Sequence, residues 1–416
     1  MKFFVSILSI ALAAAVSGAA EVTQQIVRQN WPWDNRVRID YVVKDATGGA
    51  HDVNVTVKHG NTSVTTGWYS GELYGVSEGA HTIWWNPMTN LTTYADAFWN
   101  DLTVELTLVD ASDMYMVIDC TTNASLAVSF TNAPPAGGWN QNLYKTSKLV
   151  LRKIPAGTYI MGSPENELGR NTNRYREVQH QVTLTKSFYI GIFPFTQKQY
   201  TNLEVPTDYN PSPADPQKPA INRGLEIWRG TNCWDNGVWP HCGEDGFLTR
   251  FTSRVTLPAK LTGYVFDLPT IAQWQYACRA GTIGAWNNGT TITNVTEDAN
   301  LDLLARYKKN PKVGYHMSHP VGCFLPNAFG LYDMHGNVHE MARDKAYGSQ
   351  FAKWYTNAPA VDPLESGDPW PYVPACGGYW NDPAGECRSA NIGSAGGKNL
   401  TGSDAAAIRI ALVYED

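Results

Sequence analysis

Hydrophobic rhythm divides this chain before any motif is considered. From Glu21 to Asp110 apolar and polar residues alternate: Val37, Ile39, Tyr41 and Val43 share one face, with Arg38, Asp40 and Val42 on the other. Successive side chains of a strand point to opposite sides, so this period of two predicts strands with one face in a core. The runs VNVTV and LTVELTLV repeat the habit, and the turns ATGG and KHGN separate them. Short strands punctuated by Gly and Asn predict a small all-β, immunoglobulin-like sandwich over 21–110. His51, His59 and His81 are scattered through it and read as surface or turn histidines. With no catalytic set, this unit is expected to act as a spacer or adhesion module.

The rhythm breaks at TNAPPAGGWNQN, and residues 111–145 are expected to be a linker. Beyond it, 146–416 reads as a second domain of short strands, long loops and few helices. The length of 416 residues agrees, because single cores rarely grow past roughly 250–300 residues. The best helix signal is LPTIAQWQYACRAGT, where Thr270 caps the first turn and Gln273 reaches back to it. Ile271, Trp274 and Cys278 fall at helical spacing, as do Ala272, Tyr276 and Arg279, and Gly281 suits the stop. A second short helix is expected over 196–203, TQKQYTNL.

The first 20 residues, MKFFVSILSIALAAAVSGAA, carry a basic second residue, an apolar run and small residues before Glu21. This pattern predicts a signal peptide cut near Ala19 or Ala20, and a secreted, periplasmic or cell-surface protein. No later run is long and apolar enough to predict a membrane span. Export favours disulfides, and seven cysteines leave at least one unpaired. The formal charge of −6, without a dense Lys/Arg stripe, argues against nucleic acid as a partner.

Five blocks of the second domain occur in order: LVLRKIPAGTYIMGSP (149–164), VTLTKSFYIGIFPFTQKQY (182–200), FDLPTIAQWQYACRAGT (266–282), LPNAFGLYDMHGNVHEM (325–341) and CGGYWNDPAGECRSA (376–390). Together they resemble the formylglycine-generating enzyme, or sulfatase-modifying factor, domain. The resemblance spans about 149–413 and implies an irregular α+β fold of the C-type-lectin-like kind. It also implies an activity, the oxygen-dependent oxidation of a sulfatase cysteine to formylglycine. Catalytic members hold copper(I) between two cysteines five positions apart, shortly after a Gly-Gly-Ser motif. Two soft thiolates suit that metal. Here Gly377-Gly378-Tyr379 takes the motif's place, and the position five before Cys387 is Asp382, a hard oxygen donor. Anchoring the comparison on Arg388-Ser389-Ala390 instead moves Cys387 off the catalytic position altogether. Either way the sulfur pair is missing, and copper chemistry is expected to be lost, with Cys387 the one weak catalytic candidate.

The resemblance further implies a structural disulfide between Cys278 and Cys387. Cys233 and Cys242 bracket WDNGVWPH and could close a short loop, while Cys120, Cys323 and Cys376 have no assigned partner. In YDMHGNVHEM, the family's calcium loop maps onto Asp333, the carbonyls of Gly336 and Val338, and Glu340. Oxygen donors beside a turn-forming glycine suit that hard cation. The usual Trp-Glu-Trp is His339-Glu340-Met341 here, and the His335/His339 spacing raises zinc as a rival, although Gly336-Asn337 is poor helix material and no third ligand is evident. A second calcium loop maps only Asn300, and Lys308-Lys309 follow it.

With the chemistry lost, the scaffold is expected to bind. Loops of small polar residues on a rigid core suit recognition, and Trp380, Asn381, Asp382, Asn391, Ser394 and Lys398 are the candidate surface. The leading expectation is a secreted, non-catalytic protein recognising a glycan or another protein. The alternatives are an active formylglycine-generating oxidase and a structural cell-surface protein.

Overall fold

The computed structural model describes residues 20–415 apart from 30–35, 65–67, 88–100, 110–112, 123, 172–176, 205–208, 210, 212–213, 236, 311–316, 346–357, 366–371 and 398–404. The expected signal peptide, save Ala20, and Lys398 lie outside the described residues.

Alternation in the first unit becomes two antiparallel sheets. Strands β1 (Glu21–Gln29), β2 (Val37–Lys44), β5 (Trp68–Gly71) and β6 (Gly79–Asn86) form one, in the order β1-β2-β6-β5. The other is β4-β3-β7, from β3 (Val53–His59), β4 (Thr62–Ser63) and β7 (Leu102–Leu108). Val37, Ile39, Tyr41 and Val43 are buried together with Val53, Val57, Ile83, Trp85 and Val104, so one core lies between the sheets.

Residues 111–145 are not a linker, which corrects the expected boundary. They contain β8 (Tyr115–Asp119), β9 (Val128–Thr131) and the start of helix α1 (Asn142–Thr146). Both strands belong to the main sheet of the second unit, β14-β20-β13-β10-β8-β9. Its other members are β10 (Lys148–Ile154), β13 (Phe188–Gly191), β14 (Tyr264–Asp267) and β20 (Ala411–Tyr414). Met116 and Ile118 are fully buried, an apolar gain that outweighs the Pro/Gly cluster following them.

Two smaller sheets complete the unit. One joins β11 (Gly157–Met161), β12 (His180–Leu184) and β16 (Ala360–Val361). The other, β18-β17-β15-β19, consists of β15 (His339–Met341), β17 (Tyr372–Cys376), β18 (Ile392–Gly397) and β19 (Ala406–Ala407). Helices are few and short: α2 (Gln197–Leu203), α3 (Leu225–Arg229), α4 (Phe247–Arg254) and α5 (Ile271–Arg279). α5 carries the expected capping box of Thr270 and Gln273, and α2 carries one of Thr196 and Gln199. α5 ends with Ala280 in the left-handed region at φ 45°, followed by Gly281 at φ 87°. Nearly every residue of α5 is buried, which makes it the pillar of the second core.

The two units are bolted together. Arg152 of β10 reaches both carboxylate oxygens of Asp52, at 2.8 and 2.7 Å, and both residues are buried. The hydroxyls of Tyr74 and Tyr276 lie 2.9 Å apart, and the Gly71 N–H donates to the Gly281 carbonyl at 3.0 Å. Among the described residues no helix is long and apolar enough to cross a membrane.

Candidate functional site

The loop GGYWNDPAGEC folds over α5 and the 333–341 segment. Gly378 has a φ of +69°, and a Cβ there would stand 2.8 Å from the Cys387 sulfur. Glycine is therefore what lets the turn close over this thiol. Cys387 is fully buried, and burial together with the charges of Asp382 and Glu386 pushes its thiol well above the ordinary value. A buried thiol held neutral is a poor nucleophile.

Asp382 stands close enough for its charge to act on Cys387, so the spacing of five does bring these positions together. Its carboxyl is pushed up to about 7, chiefly by burial, with Glu386 adding to the shift. The Tyr379 N–H donates to Asp382 Oδ2 at 3.2 Å, and His339 Nε2 faces the same oxygen at 3.5 Å. His339 is buried, its ring 5.0 Å from that of Tyr379, and its Nδ1 has no hydrogen-bond partner. Burial lowers its pKa to about 4, so the imidazole is neutral. One sulfur, one carboxyl and one neutral imidazole do not reproduce a two-thiolate copper(I) site.

The expected Cys278–Cys387 disulfide is not formed, and none of the seven cysteines is in a disulfide. The His335 ring contacts both Cys278 and the Cys387 backbone. Its Nδ1 donates to the Cys387 carbonyl at 2.7 Å, and its Nε2 accepts from the Asn287 N–H at 3.0 Å and lies 4.0 Å from Cys278 Sγ. Cys278 turns instead toward Ser389 Oγ, 3.6 Å away. Cys233 and Cys242 do not close a loop either; Cys242 Sγ points to Asp267 Oδ1 at 3.4 Å.

The expected calcium ligands are arranged for other tasks. Glu340 is clasped by Arg409, whose Nε donates to Oε2 at 2.7 Å and whose Nη2 donates to Oε1, while the Trp274 indole N–H donates to Oε2 at 2.6 Å. The Gly336 carbonyl accepts from the Val338 N–H at 2.8 Å. Asp333 accepts from the Gly322 N–H at 2.6 Å, and burial raises its carboxyl to about 6. Glu340, which the family comparison offers to calcium, therefore already has both oxygens engaged by a guanidinium and an indole. At the second loop, Asp298 gathers the chain: it accepts from the backbone N–H groups of Thr293, Asn294 and Asn300. Asn300 itself donates to the Thr291 carbonyl at 3.3 Å. Zinc has no place at His335, since both its ring nitrogens are engaged, and both this histidine and His339 are buried.

The recognition surface is also corrected. Trp380 is 9% exposed and Asn391 4%, and the Asn391 amide donates to the Glu386 carbonyl at 2.7 Å. Asn381, Asp382 and Ser394 remain partly exposed. Arg388 is structural: it pairs with Glu177 at 2.7 and 2.8 Å and with Glu167 at 2.7 Å. These charge pairs lie beyond sequence reading because each joins positions more than two hundred residues apart.

The model of the sulfatase-modifying factor enzyme 1-like domain matches residues 141–405, more than half of the chain. The chain belongs to this family. Within the sulfatase-modifying factor enzyme 1-like family, the formylglycine-generating enzyme of Mycobacterium tuberculosis is 26% identical over 231 residues, 47% of this chain and 74% of that one. The inactive C-alpha-formylglycine-generating enzyme 2 of Mus musculus is 25% identical over 219 residues, 45% of this chain and 66% of the relative. Among solved structures, PvdO from Pseudomonas aeruginosa matches with a TM-score of 0.46 and 24% identity, covering 63% of this chain and 94% of its own. Treponema denticola variable protein 1 matches with a TM-score of 0.45 and 21% identity, covering 64% and 95%.

Proposed function

We propose that this protein is a non-catalytic recognition protein built on a formylglycine-generating-enzyme-like scaffold, exported and displayed with an immunoglobulin-like module at its amino terminus. One observation carries the reading: the position five before Cys387, where the resemblance calls for a second sulfur, is Asp382, and Cys387 itself is buried. A carboxyl and a neutral thiol bind copper(I) far more weakly than two thiolates, so the metal that would activate oxygen has no grip. The naming of a mouse relative as inactive is consistent with such a loss in this family. The strand order β1-β2-β6-β5 opposite β4-β3-β7 supports the immunoglobulin-like reading of the first unit.

The test is copper(I) competition on the reduced full chain with a chromogenic chelator, alongside turnover of a cysteine-bearing sulfatase peptide. The reading expects no stoichiometric copper and no aldehyde product. Tight binding of one copper with aldehyde formation, both abolished by Cys387→Ala, would establish the oxidase instead.

A further inference from the structure

Between the two units lies an open cleft of about 610 Å³, on the far side of His335 from the Cys387 loop. Its size suits a small-molecule ligand rather than a solvent crevice. One wall is the outer face of β5 and β6 in the sandwich, and the other is the turn that follows α5. The walls are held in place by the Gly71–Gly281 hydrogen bond, the Tyr74–Tyr276 contact and the Arg152–Asp52 pair. Such a cleft is formed before any ligand arrives, which reduces the ordering cost of binding.

Its lining is one aromatic plate with polar groups fixed around it. Trp84 is half-buried, with the Arg36 guanidinium 4.7 Å from its ring centroid. Glu72 is oriented by the Thr82 N–H at 2.9 Å and by His81 Nδ1 at 3.2 Å. Asn288, which lines the cleft, accepts at its side-chain oxygen from Thr290, at 3.0 Å from N and 2.6 Å from Oγ1. Asn287 is 3% exposed, its backbone is held by His335, and its side-chain oxygen has no partner. A buried acceptor without a donor is costly, and a ligand hydroxyl would satisfy it.

An indole beside oriented amides and a carboxylate matches a molecule with C–H faces and a rim of hydroxyls. We propose that this cleft binds a carbohydrate, with Trp84 as the stacking plate and Asn287, Asn288 and Glu72 as hydrogen-bonding groups. The assignment deepens the recognition reading above by naming a site and a ligand class.

The full chain can be screened against an array of neutral and acidic oligosaccharides, and the best binder titrated by calorimetry. Trp84→Ala is expected to weaken binding on the order of tenfold or more, as loss of a central aromatic contact does. Trp84→Phe should retain most of the affinity, Asn287→Ala should lose it, and Lys58→Ala on the opposite sheet should leave it unchanged. Absence of binding to any glycan overturns the proposal, as does binding indifferent to Trp84→Ala and Asn287→Ala. Binding that survives Trp84→Ala but disappears in Asp382→Asn overturns it too, since that result places recognition at the Cys387 loop. The copper(I) measurement decides the non-catalytic reading separately, so either can fail alone.

Discussion

Arg409 closes a bidentate ion pair on Glu340 in the interior of the second unit, with Trp274 adding a third hydrogen bond. The pair ties the end of the chain to β15 and α5. It also occupies the carboxylate that the family comparison offers to calcium.

Removing one partner would leave the other charge buried without compensation. Arg409→Met is expected to destabilise the protein by about 3–5 kcal/mol, whereas a metal chelator should leave the melting temperature of the parent unchanged. Urea denaturation and thermal melts in the presence of EDTA check both outcomes. A large drop in melting temperature with EDTA would restore the metal.

Asp52 and Arg152 play the same part between units. Asp52→Ala would strand the Arg152 guanidinium between Tyr115 and Phe329, with centroids 5.4 and 5.5 Å away. The expected cost is again about 3–5 kcal/mol. In calorimetry the sandwich should begin to melt separately from the second unit, a splitting that a purely local defect would not cause.

Thiol reactivity should report burial. Cys323 is exposed and Cys242 is partly so, while Cys120, Cys233, Cys278, Cys376 and Cys387 are buried. Burial pushes the Cys278 thiol up to about 12. A native-state thiol titration is expected to show one fast group, with the buried five reacting only on unfolding. Dithiothreitol should not shift the melting temperature; a shift of several degrees would indicate a disulfide that stabilises the fold.

The buried carboxyls should stabilise the fold less as pH rises toward neutrality, opposing His335 and His339, whose neutral buried rings stabilise it more over the same range. The Asp382 carboxyl is raised to about 7 and that of Asp344 to about 6, both chiefly by burial. Each folded carboxyl holds a proton that the unfolded chain releases from a value of 3.8. Their contribution is complete below that lower value and is lost as pH climbs through the folded ones. Relative to the parent, Asp382→Asn should make the slope of urea midpoint against pH more positive between about pH 4 and about pH 8. An unchanged slope would show that Asp382 does not titrate in this window.

Much of the local structure is legible in the sequence. The capping boxes of α2 and α5, the buried face of β2 and the spacing of Asp382 from Cys387 all depend on residues a few positions apart. Other features were not legible there. The strands at 115–131 look like a linker until the main sheet supplies partners at 148–152. Trp380 and Asn391 read as loop surface because nothing nearby reveals what covers them.

Sequence by itself determined the family, the alternating strands of the first unit, the capped central helix and the presence of Asp382 five positions before Cys387. Tertiary structure alone decided that His335 contacts both Cys278 and the Cys387 backbone, that Arg409 takes Glu340, and that two units enclose a cleft beside Trp84. The division has a physical origin: caps and periodicity act within a turn or a strand. A buried charge or thiol takes its character from neighbours brought in from a hundred or more residues away.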